Sequence, residues 1–307
     1  MPFGCVYGIP EEEEETDVNK CEFISKVVES SFFIENQIAA QKILYPDYKD
    51  FFVLFDSCEP ISMGEVHENI IVDDDTSNQF YLVRYSFVKW IPFPSYLTSS
   101  SVPRIYIRRL LGVHRNLLKN IYILGKEGIV HNNIRRNNIL LRCDNDEPLL
   151  TNFGLSITNK SISNYFFHFQ PQFIYLPFEC HLCAYIVEKG VRVLSYMNLG
   201  EVVDKYNLNA LIKLEKQDTK GFEKYIGWKA EHVIEDIAKW RFTWDNFALN
   251  IVMIEIVEEN IAAGLDLSWY KDILYKCIKQ RLNVKQTNKL LSNFIQNIFI
   301  HIDNFDL

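Results

Sequence analysis

The sequence predicts an α+β fold, on three observations. Segments rich in β-branched and aromatic residues, Cys5 to Ile9, Cys21 to Val28 and Asn78 to Val88, crowd the first third of the chain around one stretch of helical spacing. Beyond Val102 the pattern turns mostly helical. A polar loop crowded with Asn and Arg then leads into two short apolar runs, Ile139 to Leu141 and Leu149–Leu150, which read as a hairpin with polar side chains at both ends.

Taken in order, Glu11 to Glu15 with Asp17 and Asn19 separate the first two β-rich segments. Like charges this dense repel one another and stay solvated, so a hairpin tip is expected there. From Phe32 to Leu44 the apolar residues Phe33, Ile34, Ile38, Ala39, Ile43 and Leu44 recur at helical spacing, and Tyr45-Pro46 ends the helix. Asn78 to Val88, with F-Y-L-V-R-Y, is expected to be a strand, and the Pro-containing W-I-P-F-P-S a hinge after it. Val102 to Lys126 reads as a helix on which Arg104, Arg108, Arg109 and Arg115 form a basic stripe. On an acidic chain a solvated helix face is favoured there over a phosphate or nucleic-acid site. Residues 189–240 mix apolar and charged positions in the manner of an inserted helical subdomain, a candidate docking surface.

Composition narrows the classes. At 307 residues the chain suffices for one large domain or two smaller units, each with its own core. A formal charge of -8 speaks against a nucleic-acid binder driven by net charge. Apolar stretches such as Ile251 to Val257 are short or broken by charges, so no membrane span is expected. Glutamates begin at Glu11, so no apolar leader resembling a signal peptide is read at the start. Seven scattered cysteines, an odd number, fit a reducing, intracellular compartment. Cys180 and Cys183 are the one close pair; with no second pair to complete a zinc site, buried thiols are expected.

The stretch H-N-N-I-R-R-N-N followed by N-F-G, from His131 to Gly154, resembles the catalytic loop and metal-binding loop of the eukaryotic-type protein kinases, H-R-D-L-x-x-x-N and D-F-G. His131, Asn138, Phe153 and Gly154 keep the pattern. The family's catalytic aspartate falls on Asn133, its preceding arginine on Asn132 and its magnesium-binding aspartate on Asn152. Arg135 stands where the family usually carries a lysine near the transferred phosphate. Other signals follow in the family's order. Gly4 and Val6 resemble the end of the glycine-rich loop, whose leading glycines fall before Met1. F-I-S-K-V-V resembles the strand with the phosphate-orienting lysine, here Lys26, and Glu35 is the candidate partner on the next helix. Y-L-P-F-E resembles the closing motif, with Glu179 matched, and T-W-D-N-F-A-L-N resembles the central helix, with Asp245 as the anchor of the catalytic-loop backbone. Arg281 is the arginine expected to pair with Glu179. Segments near P-D-Y-K-D-F-F-V-L-F-D-S-C-E-P-I resemble kinase-like proteins of large cytoplasmic DNA viruses.

The resemblance implies an α+β, protein-kinase-like two-lobed fold. A small, mainly antiparallel β N-lobe with one helix spans residues 1–88, and a larger, mainly helical C-lobe spans 89–307 with the insertion near 189–240. Ser156, Thr158, Ser161, Ser163 and Tyr165 would lie exposed on an activation loop. ATP and Mg²⁺ are the implied ligands, yet the substitutions weaken both. Asparagine cannot take up a proton, and general-base assistance is worth roughly 10²–10⁴-fold. Mg²⁺ prefers hard anionic oxygens, whereas Asn138 and Asn152 offer only amide oxygens. Asn132 cannot replace a guanidinium fork in clasping a phosphorylated loop. The first expectation is therefore a pseudokinase, a binding or regulatory module with a protein partner, no nucleic acid and no membrane, in the host cytoplasm if the chain is viral. The alternatives are a weakly active serine/threonine kinase and a non-catalytic nucleotide sensor.

Overall fold

A computed structural model describes residues 23–29, 32–61, 80–86, 90–99, 102–158, 173–206 and 219–302. It is α+β: two small antiparallel sheets precede and border a helical bulk. Strand β1 (Phe23–Glu29) and strand β2 (Ser57–Ile61) flank β3 (Phe80–Ser86), giving the order β1-β3-β2, with Lys26 opposite Val83 and Cys58 opposite the same residue. Helix α1 (Phe32–Leu44) lies between β1 and β2 in the chain and has the limits that its apolar spacing predicts. Ile34 packs with Phe55 and Val83 in a small core under this first sheet.

The W-I-P-F-P-S segment is regular rather than a bare hinge. Trp90–Pro92 forms strand β4, and Phe93–Thr98 forms the short helix α2. Proline permits both: Pro92 closes an edge strand, and Pro94 sits in the first helical turn, where its missing N–H is not needed. β4 pairs with β5 (Ile139–Arg142), which pairs with β6 (Pro148–Leu150), so the expected hairpin forms with Ile139 opposite Leu150. Segment 51–53 joins the far edge of β6, since Val53 N–H donates to the Leu150 carbonyl and Leu150 N–H to that of Phe51. The residues before and after position 88 are thus joined by backbone pairing.

The bulk is built on α3 (Pro103–Lys126) and α7 (Trp244–Ala262). Thirteen residues of α7 are buried, on all its faces through Ile254, as expected of a helix enclosed by others. Helices α8 (Ser268–Lys279) and α9 (Val284–Ile302) complete this core, together with Phe52, Phe93, Ile139, Leu150 and Phe153. A second core joins α4 (Phe178–Glu188), α5 (Tyr196–Tyr206), the turn Thr219–Tyr225, α6 (Ala230–Ala238) and Trp244. Most of the described part of 189–240 therefore shares a core with α4 instead of standing apart from it. Cys180 and Cys183 are buried free thiols within it, and burial pushes both thiols well up. Among the described residues no helix is long and apolar enough to cross a membrane.

Candidate functional site

The His131–Asn138 loop runs from the end of α3 to β5, and an aspartate from another helix holds its shape. Asp245 lies in the first turn of α7, where the helix dipole favours an anion. Its two carboxylate oxygens accept the backbone N–H of His131 at 2.7 Å and of Asn132 at 2.8 Å. Asn132 takes a left-handed conformation with φ 57°, tolerable for asparagine, and the second of those bonds fixes it. Burial raises the Asp245 carboxyl to about 6, against the pull of the two N–H donors. It is thus ionised at neutral pH, with both oxygens engaged by the loop backbone. Replacing Asp245 by Asn keeps one acceptor and turns an amide N–H₂ toward the other backbone donor. The expected cost is about 1–3 kcal/mol, the penalty of one buried unpaired group. Urea denaturation measures it; an unchanged midpoint would refute the anchor.

The loop's side chains are ordered from within. His131 is fully buried, and burial lowers its imidazole to about 4, so the ring is neutral. Its Nε2 lies 3.2 Å from the Thr151 carbonyl and is therefore the protonated nitrogen, while Nδ1 has no partner among the described residues. Phe153 packs against that ring at 4.6 Å between centroids and edge-on to Phe52 at 5.6 Å. Asn138 is buried and its Nδ2 donates to the Asn133 carbonyl at 2.8 Å, which closes the loop on itself. Asn133 is buried too, whereas Asn152 is exposed and left-handed at φ 69°. Two adjacent arginines differ. Arg136 is paired with Glu259 at 2.8 Å and Glu255 at 3.4 Å, and the Tyr175 hydroxyl donates to Glu255. Arg135 is half-buried, has an unpartnered Nε and makes no ion pair among the described residues.

The remaining expected residues divide. Glu179, in the first turn of α4, accepts from Arg281 Nη2 at 2.8 Å, as the resemblance implies. Gly4 and Val6 lie outside the described residues. For Lys26 the strand position is described and its side chain is not. Glu35 is exposed on α1, and the next residue, Asn36, is the one turned inward: its Nδ2 donates to the Gly154 carbonyl at 3.0 Å. Nearby, Gln41 clasps the backbone of Phe55 through both ends of its amide, at 2.6 and 3.1 Å. Neither Asn36 nor Gln41 was singled out from the sequence. Their only sequence signal is a polar residue inside an apolar helical stripe. Ser156 and Thr158 are buried, contrary to the expectation of an exposed loop, because Ile157 pairs its backbone with Val130 and draws its neighbours inward. Ser161, Ser163 and Tyr165 lie outside the described residues.

Chemically, the site is a well-braced polar loop with neutral groups at its centre. For Mg²⁺ the two positions offer no carboxylate: Asn138 donates through Nδ2 to the Asn133 carbonyl, which leaves its neutral Oδ1 as the only side-chain oxygen, and Asn152 is uncharged. Among the described residues no group of three or more His, Cys, Asp or Glu side chains is placed to hold a metal ion. No protein-family model matches the chain, and no curated protein matches it.

Proposed function

We propose that this chain is a protein-kinase-like, two-lobed protein that has lost phosphoryl-transfer chemistry and serves as an intracellular binding or regulatory module. The observation that carries this reading is the bond pair from His131 and Asn132 to Asp245, in a loop whose base and metal positions, Asn133 and Asn152, are both amides. The brace that would hold a catalytic loop is kept, and the groups that would act on a proton or a metal are gone. The Glu179–Arg281 pair supports the same alignment from a distant part of the chain. A fold alone does not fix a function, so the reading rests on these positions.

Thermal-shift titration with ATP, with and without Mg²⁺, on the wild type and Lys26→Ala tests it. The expected result is no Mg²⁺-dependent stabilisation and no transfer of radiolabelled phosphate. A Mg²⁺-dependent rise that Lys26→Ala abolishes, followed by transfer, would establish the weak-kinase reading in its place. Asn133→Asp with Asn152→Asp restores the two carboxylates. Under the proposed alignment the double variant gains Mg²⁺-dependent nucleotide stabilisation, and failure to gain it would count against that alignment.

A further inference from the structure

Charge on this protein is segregated. Helix α3 carries six Lys and Arg residues and α9, packed beside it, carries two; neither contains an Asp or Glu. Removing those eight positive charges from the chain's -8 leaves -16 on everything else. At about 100° per residue, Arg104, Arg108, Arg115, Lys119, Tyr122 and Lys126 all fall within an arc of about 60° on α3. That arc faces solvent, for these side chains are exposed. Arg108 and Arg115 make no ion pair among the described residues. A basic residue in the first turns of a helix opposes the helix dipole, and like charges at i,i+4 repel, so local helix stability does not account for the arrangement.

We infer that this face of α3 is a docking surface for an acidic helical segment of another protein. The basic groups recur in the three- and four-residue steps of a helix, so a partner helix laid along α3 meets them with acidic side chains at the same steps, over about 33 Å. The C-terminal end supplies an apolar anchor. Tyr122 is 45% exposed, and Phe242, 38% exposed, lies beside Gly125. A nucleic-acid strand fits less well on two counts. Lys285 lies over the Tyr122 ring at 5.2 Å and Arg241 over the Phe242 ring at 4.5 Å, so a face of each aromatic is already occupied by a cation instead of being open for a stacked base. A long polyanion also runs past the stripe onto the negative remainder, whereas a short acidic helix stays within a Debye length, about 8 Å at physiological salt, of the basic groups. This inference stands on the charge distribution and does not depend on the kinase-like reading.

The test is fluorescence anisotropy with a labelled helical peptide of about 24 residues, the length of α3, bearing glutamates on one face and a leucine near one end. Comparison probes are the same composition scrambled off one face, a single-stranded oligonucleotide and phosphatidylserine vesicles. The expected result is binding of the faced peptide that weakens with salt and falls about tenfold or more in Arg108→Glu/Arg115→Glu/Lys119→Glu. Lys229→Glu/Lys239→Glu, a charge reversal at the two ends of α6, leaves it unchanged. A thermal melt confirms that each variant is folded, and Arg108→Gln/Arg115→Gln replaces the triple variant if that one is not. No binding, equal binding of the scrambled peptide, or no loss in the α3 variants overturns the inference. So does tighter binding of the oligonucleotide or the vesicles with the same loss, or a concentration-dependent self-association that the α3 variants abolish, which would assign the surface to a second copy of the chain.

Discussion

Arg281→Met destabilises the protein by about 3–5 kcal/mol, because it removes the guanidinium that a buried carboxylate pairs with. Arg281 Nη2 meets Glu179 Oε2 at 2.8 Å, with the two side chains 17% and 7% exposed. The pair bridges the two large cores. Glu179 belongs to α4, whose flanking residues Phe178 and Cys180 lie in the second core, while Arg281 follows α8 and stacks its guanidinium over Phe247 of the main core at 4.9 Å. Methionine keeps much of the stem's packing volume, so the loss reports charge and hydrogen bonding more than a cavity. For a chain this large the melting temperature falls by about 5–8 °C. Glu179→Gln in the Arg281→Met background removes the buried negative charge and recovers part of the loss, which a double-mutant cycle quantifies. A single-variant cost below about 1 kcal/mol, typical of exposed pairs, would mean that the bridge contributes little.

How far the sequence could be read depends on the kind of signal. The helix at Phe32–Leu44 and the hairpin at 139–150 were legible because apolar period and turn residues are local properties. Asp245 and the Glu179–Arg281 pair were legible only through ordered motifs, since nothing local tells an exposed Asp from one that accepts two distant backbone donors. Within α1 the apolar period marks Ile43, which is 40% exposed, and passes over Asn36 and Gln41, both 7% exposed. An amide on a helix is buried when a backbone group elsewhere needs a partner, and that need arises from tertiary structure. The motif also pointed to Glu35, and one residue of helix rotates a side chain by about 100°, enough to exchange solvent for the Gly154 carbonyl. Of the four arginines expected on the α3 stripe, Arg104, Arg108 and Arg115 share the exposed arc with Lys119 and Lys126, whereas Arg109 turns aside to Tyr96 and Ser99; that the acid-free α9 lies beside this helix required their packing.

Lowering the pH from 7 to 5 weakens the fold by about 4 kcal/mol, and buried histidines set the sign. His114, His131 and His181 are almost wholly buried, and burial lowers them to about 3, 4 and 4. A histidine whose folded pKa lies below its unfolded value of 6.5 gives its full contribution above pH 6.5. That contribution is lost as pH falls toward the folded value, because the unfolded chain gains the proton first. Each ring therefore costs ~2 kcal/mol by pH 5. Asp245 acts in the opposite direction: its folded pKa, raised to about 6, lies above the unfolded 3.8, so its protonation favours the folded state below pH 6 and offsets ~1 kcal/mol. The carboxylates lowered by surface partners, Asp144, Glu201, Asp236 and Asp266, lose their contributions only in more acidic solution. The two kinds of group also differ in what their protonation breaks. Charging His114 disturbs its 2.7 Å bond with the Tyr270 hydroxyl in the main core, while protonating Asp245 loosens the His131–Asn132 backbone. Urea midpoints at pH 7 and pH 5 measure the total, and His114→Gln, which keeps a polar partner for Tyr270 but has no proton to gain, removes about a third of the histidine-driven loss. A midpoint that is flat between the two pH values would show that these rings reach solvent in the native state.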